Sequence, residues 1–174
     1  MSKILEHRPL ILRSNRFLGS ALVERGLVSS NDLEAANEKL LEVIQAGDIR
    51  GASLLNILTI ELKVLDEAAL IDSMVEMDEV SLVDLSTYDI SKFKEMKVDI
   101  DLCWATFTFP FDRMENFAML ATSYYLSEPT KKFWLEHFNG DVIWYTTSIL
   151  SIAKALERAE EEAAATPAAK ESES

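Results

Sequence analysis

The sequence predicts an α+β fold: an N-terminal four-helix tandem-repeat unit, then a small α/β sandwich-like unit with a short mixed sheet. The first ground is a repeated rhythm, since RFLGSALVERGLVSSNDLEAANEKL at Arg16 to Leu40 returns in degraded form as SLLNILTIELKVLDEAALIDSMVEM at Ser53 to Met77. Each copy holds a short apolar helix, a break, a polar cap and a second helix. The second ground is a change of period beyond residue 98, where short alternating aromatic and branched runs are interleaved with capped helical stretches. Neither helical pair can bury its apolar stripe alone, so the two copies are expected to pack together.

Residues 1–14 carry Pro9 and no sustained periodicity, and are read as a flexible arm. The tandem helical unit spans 15–80. In its first copy Leu18, Ala21, Leu22 and Val23 form one apolar face, Gly26 supplies the left-handed stop, and Ser29 or Ser30 caps the next helix. There Leu33, Ala36, Leu40 and Val43 or Ile44 recur at helical steps, while Asp32, Glu34, Glu38 and Lys39 take the wet side. In the second copy Leu54, Leu55, Ile57 and Leu58 lead to a break at Leu62-Lys63, Asp66 caps, and Leu70, Met74 and Met77 continue inward.

Residues 81–98 form a strand and junction: VSLVDL at Val80 to Leu85 alternates as a strand, and a short helix starts at Ser91. The small α+β unit covers 99–162. WATFTFPF, Trp104 to Phe111, reads as an edge strand because Pro110 cannot donate to a central ladder. DRMEN turns the chain, and Phe117 to Tyr125 returns as the partner strand. Thr130 is expected to cap a helix with an inward stripe of Phe133, Trp134, His137 and Phe138, stopped by Gly140. VIWY, Val142 to Tyr145, is a third strand, and Ser148 caps a last helix with Ile149, Ile152, Ala153 and Leu156 inward. Residues 163–174 lack apolar periodicity and are read as a disordered acidic tail.

Composition narrows the function. The 174 residues are 48% hydrophobic, enough for a core, yet no apolar run approaches the length of about 18 that a membrane helix needs. No signal-peptide core stands at the start, so cytoplasmic residence is expected. A net charge of −13 argues against nucleic acid and anionic membrane as partners, since Lys and Arg cluster only within the first 16 residues. The single cysteine, Cys103, and the two distant histidines, His7 and His137, assemble no soft-ligand metal cluster. Cys103 beside Trp104 reads as a packed small hydrophobe, and His137 as a core or half-buried residue. Asp66-Glu67 and the pairing of Asp72 with Glu76 or Asp78 read as a cap and a solvated face rather than paired catalytic acids. Ser14-Asn15, Ser29-Ser30 and Thr147-Ser148 read as caps, not nucleophiles. The aromatics Phe107, Phe109, Phe111, Tyr124, Tyr125, Trp134, Trp144 and Tyr145 are mostly core, some of them a candidate exposed sheet edge. No catalytic residue, metal ligand or cofactor is assigned.

The order Leu18-Gly19-x-x-Leu22-Val23-x-x-Gly26-x-Val28-Ser29, then Leu33 and Ala36, a second helical pair and Val83-Asp84-Leu85 ending a strand, resembles one bacterial family. This is the amino-terminal region of type II secretion and type IV pilus assembly ATPases, the GspE, PilB and MshE family. The resemblance extends over roughly residues 15–160, with Ser127-Glu128-Pro129 in place of the family's Asp-Pro turn. It implies a stand-alone docking and regulatory region without the motor, because the five glycines never form the G-x-x-x-x-G-K-[ST] phosphate loop. It implies a protein partner, a secretion or pilus assembly component or ATPase, with no nucleic acid and no membrane insertion.

In one branch of that family tandem helical pairs bind cyclic di-GMP through an Arg-Leu-Gly start, a Leu-Val pair and a terminal Gln in each copy. The residues matching that pattern here are Arg16, Leu18, Gly19, Leu22 and Val23, the weak nucleotide candidates. Phe17 stands in the arginine slot with Arg16 displaced by one, and Leu40 replaces the glutamine. The second copy substitutes Ser53, Leu55 and Met77 for arginine, glycine and glutamine. An anionic dinucleotide without its stacking arginines has little to hold it, so the leading expectation is a non-catalytic interaction module, with a cyclic di-GMP or related nucleotide sensor as the alternative.

Overall fold

A computed structural model describes residues 2–48 and 50–165, with side chains from residue 6 onward. The first helix, α1 (Ser2–Glu24), takes in the stretch expected to be an arm and carries Pro9 within it. The helix persists because tertiary burial outweighs the missing proline N–H: Ile11, Ser14 and Asn15 are all buried. Ser14 and Asn15 are therefore not caps but buried polar groups in mid-helix. Gly26, at φ +74°, ends the turn after α1 as expected. Ser29 caps α2 (Ser30–Gln45) by accepting from Asp32 N.

The second pair opens on Ser53, which caps α3 (Leu54–Asn56) by accepting from Asn56 N. The chain runs on through a π-helical turn at Ile57–Glu61, closed by Leu62 N to Ile57 O. Lys63 at φ +55° makes the break, and Asp66 caps α4 (Glu67–Met77). The expected six-residue strand shrinks to β1 (Ser81–Leu82), because Asp84 caps a 3₁₀ turn at Leu85–Thr87. The short helix α5 (Ser91–Glu95) begins where expected.

The largest departure lies at residues 100–106. The segment expected to start a strand at Trp104 is instead α6 (Ile100–Thr106), capped by Asp99 and burying Leu102, Cys103, Ala105 and Thr106 at helical spacing. Phe107, in the left-handed region at φ +43°, switches helix to strand. The hairpin strands β2 (Thr108–Arg113) and β3 (Phe117–Thr122) pair antiparallel with a bulge between Pro110 and Asp112. Both the edge position and the bulge accommodate the proline. Next comes α7 (Glu128–Phe138), whose cap is Ser127, not Thr130; Pro129 occupies its first turn, and Asn139 at φ +50°, not Gly140, ends it. Then β4 (Asp141–Thr146) pairs parallel with both β3 and β1, giving a mixed sheet in the order β1-β4-β3-β2.

Ser148 caps the last helix, α8 (Ile149–Ala165), as expected. Residues 163–165, assigned to the tail from sequence, continue this helix, and the rest of that expectation, 166–174, lies outside the described residues. Helices α5, α6 and α8 pack about β2, while α4 and α7 pack on β4. Helix α1 lies across α6 and α7 as well as α2 and α3, so it touches both halves of the chain. The observed architecture is mixed α+β, as the sequence predicts.

The stripe on α7 also differs from expectation. Trp134 and Phe138 are buried and Phe133 is half-buried, but His137 sits at the surface with Nε2 3.2 Å from the Met96 carbonyl. The inward face of an 11-residue helix between a sheet and α1 is too narrow to take all four.

Candidate functional site

The five sequence candidates divide by direction along α1. Leu18 and Leu22 point into the core with no exposed surface. Gly19 lies at the α1–α2 contact, where a Cβ would stand 2.8 Å from Leu33 Cδ1 and 3.1 Å from Leu54 Cδ2. Its role there is to let the helices approach. Arg16 and Gly19 line a hollow of about 250 Å³ with Leu12, Asn37 and Leu41. Val23 lines the adjoining groove, with Leu33 and Leu41 as floor and Glu24, Glu34 and Glu38 around it. Among the described residues, Arg16 is the single cation lining either hollow. Phe17, beside it, is 44% exposed.

The matching positions in the second copy do not repeat this arrangement. Ser53 and Leu55 are fully buried, and Met77 is 64% exposed at the far end of α4. Ser53 serves a polar network that the sequence analysis missed by reading Ser14-Asn15 as a cap. The Asn15 carboxamide donates to Ile11 O (2.8 Å) and Ala52 O (3.1 Å), and accepts from Leu54 N (2.9 Å) and the Tyr124 hydroxyl (2.8 Å). Both amide hydrogens and both oxygen lone pairs are used. Ser53 Oγ lies 2.7 Å from Tyr124 Oη. Because the tyrosine proton goes to Asn15, Ser53 is the donor in that contact. Burial pushes the Tyr124 hydroxyl well above the usual tyrosine range.

A second missed contact joins the ends of both copies to the sheet unit. Arg25 makes two bonds of 3.0 Å to Asp78 and one of 3.0 Å to Ser73 Oγ, and its guanidinium stands 4.0 Å above the Tyr125 ring. Tyr125 in turn donates to Ser73 at 2.8 Å. Arg50 does similar work at the opposite edge, bridging Asp101 and Glu160 while Trp104 Nε1 donates to Glu160. Glu67, read together with Asp66 as a helix cap, is half-buried and accepts from Ile149 N at the start of α8. Burial raises its carboxyl above the usual range.

The remaining candidates are quickly placed. Cys103 is buried, and desolvation pushes its thiol up, away from the reactive thiolate. The two histidines, distant in sequence, share one hollow of about 420 Å³ on either side of Phe133, with His7 3.2 Å from Asp99. Among the described residues no group of three or more His, Cys, Asp or Glu side chains is placed to hold a metal ion. The aromatic run does not form a free sheet edge: Phe107, Phe109 and Phe111 are all buried, Phe93 of α5 stacking on Phe109 at 5.0 Å and Tyr88 meeting Phe111 edge-on at 4.6 Å. No helix among the described residues is long and apolar enough to cross a membrane.

No protein-family model matches the chain. No curated protein matches it either. Among solved structures, one of MshE with cdg is similar at a TM-score of 0.45 and 21% identity, over 81% of this chain and 96% of that one. The N-terminal domain of XpsE is similar at a TM-score of 0.51 and 16% identity, over 80% of this chain and 91% of that domain. Tandem helical pairs followed by a mixed sheet are thus the fold this chain shares with the N-terminal domain of XpsE.

Proposed function

We propose that the protein is a non-catalytic, cytoplasmic interaction module that docks a component of a secretion or pilus assembly machine. The observation that carries this reading is the open groove between α1 and α2, where Val23, Leu33 and Leu41 together present an apolar floor and Leu41 is 52% exposed. Exposed apolar surface of this kind on an otherwise well-packed domain marks an interaction face. The shared fold with the N-terminal domain of XpsE and the sequence resemblance to secretion and pilus ATPases supply the partner class. With β2 covered, the docking surface belongs to the helical unit rather than to the aromatic sheet edge.

The alternative, a cyclic di-GMP or related nucleotide sensor, draws on Arg16, exposed beside Gly19 and without a partner among the described residues. Against it stand Glu24, Glu34 and Glu38 around the adjoining groove and the burial of Ser53 and Leu55 where a second half-site would be built. Affinity capture from native lysate and calorimetric titration with cyclic di-GMP separate the two. The docking reading expects recovery of a secretion or pilus component, and neither heat nor a shift in melting temperature at about 500 µM ligand. Binding heat together with a raised Tm would replace it with the sensor reading.

A further inference from the structure

The exposed stripe of α1 is self-complementary. Arg13, Arg16, Phe17, Ser20 and Glu24 recur at three- and four-residue steps and all face solvent. Among the described residues, neither Arg13, Arg16 nor Glu24 has an ionic or hydrogen-bonding partner. The stripe is basic toward its N-terminal end and acidic toward its C-terminal end, where the groove adds Glu34 and Glu38 over the apolar floor of Val23, Leu33 and Leu41. Such an arrangement is satisfied by its own copy turned through 180°.

We propose that α1 pairs antiparallel with α1 of a second copy, crossing at Ser20 to form a twofold-symmetric dimer. A crossing there places Arg16 beside the second copy's Glu24 and Phe17 over its Val23, at the mouth of the apolar groove. Every pair occurs twice, as an isologous interface requires. The small Ser20 side chain permits the helix spacing of about 8–10 Å that such packing needs. Charge selects the orientation, because a parallel pairing would bring arginine against arginine and carboxylate against carboxylate. The net charge of −13 on each copy opposes association, so the dimer is weak, with a dissociation constant on the order of 10–100 µM.

The test is sedimentation equilibrium on the full chain with paired charge reversals, far-UV circular dichroism confirming that each variant is folded. Arg16→Glu alone and Glu24→Arg alone are each expected to weaken self-association at least about tenfold. An equimolar mixture of these two variants should recover a heterodimer of about wild-type affinity, since both cross-pairs are then attractive. Phe17→Ser should weaken the dimer without altering this exchange. A wild-type chain monomeric at about 1 mM, or a dimer that ignores both reversals, would overturn the proposal. So would single variants that lose association but show no recovery on mixing.

Discussion

The Tyr124 hydroxyl donates to the Asn15 carboxamide oxygen at 2.8 Å, tying the end of the sheet hairpin to the middle of the first helix. Ser53, at the start of the second helical pair, completes the contact at 2.7 Å. Three parts of the chain that are far apart in sequence are thereby held at one buried point. The docking surface proposed for the helical half is fixed relative to the sheet by this network and by the Arg25 and Arg50 bridges.

Removing either partner leaves buried polar groups unpaired. Asn15→Ala is expected to cost about 2–3 kcal/mol, because it orphans the Ala52 carbonyl and the Leu54 amide as well as the tyrosine. Tyr124→Phe is expected to cost about 1–2 kcal/mol, since Ser53 keeps its bond from Asn56 N. In urea unfolding, the double variant should fall short of the sum of the two by about 1 kcal/mol. Strict additivity would show that the two residues are not coupled.

Much of the helical unit was legible because its signals are local. Ser29 and Asp66 cap, Gly26 and Lys63 break, and Leu18, Leu22, Leu70 and Met74 keep helical period, all within one or two turns of chain. The N-terminal helix was not, because what holds Pro9 in a helix is the surface of α6 and α7, more than 80 residues away. The Trp104–Phe107 error has a different origin: an Asp99 cap and a left-handed Phe107 outweigh aromatic alternation. At the candidate site the sequence pattern names Arg16 and Gly19, and both line one hollow. It does not show that Ser53 is a core residue, because that burial depends on Asn15 and Tyr124, both far away in sequence.

Alkaline pH tests the buried tyrosine. Its hydroxyl is raised in the folded state, so its contribution to stability is complete below the unfolded-state value near pH 10 and is lost as pH rises beyond it. Absorbance at 295 nm should show one tyrosine ionising only together with unfolding. In Tyr124→Phe that coupled component should vanish, even though the variant is less stable at neutral pH.

Crowding at Gly19 provides a packing test independent of polar groups. Gly19→Val places two methyls against Leu33 and Leu54, and is expected to cost about 1–3 kcal/mol despite the entropy advantage of replacing glycine. Thermal melts read this directly. A neutral or stabilising outcome would mean that the α1–α2 contact is looser than described.

The most direct measurement of the central claim, that the helical unit and the sheet unit form one body welded by α1, is urea unfolding followed by two probes. All three tryptophans, Trp104, Trp134 and Trp144, lie in the sheet unit, so their fluorescence reports that half. Circular dichroism at 222 nm is weighted toward the helices that dominate the other. One body predicts coincident transitions with a single midpoint, moving together in Asn15→Ala. Two separated midpoints in the wild-type chain would contradict the claim.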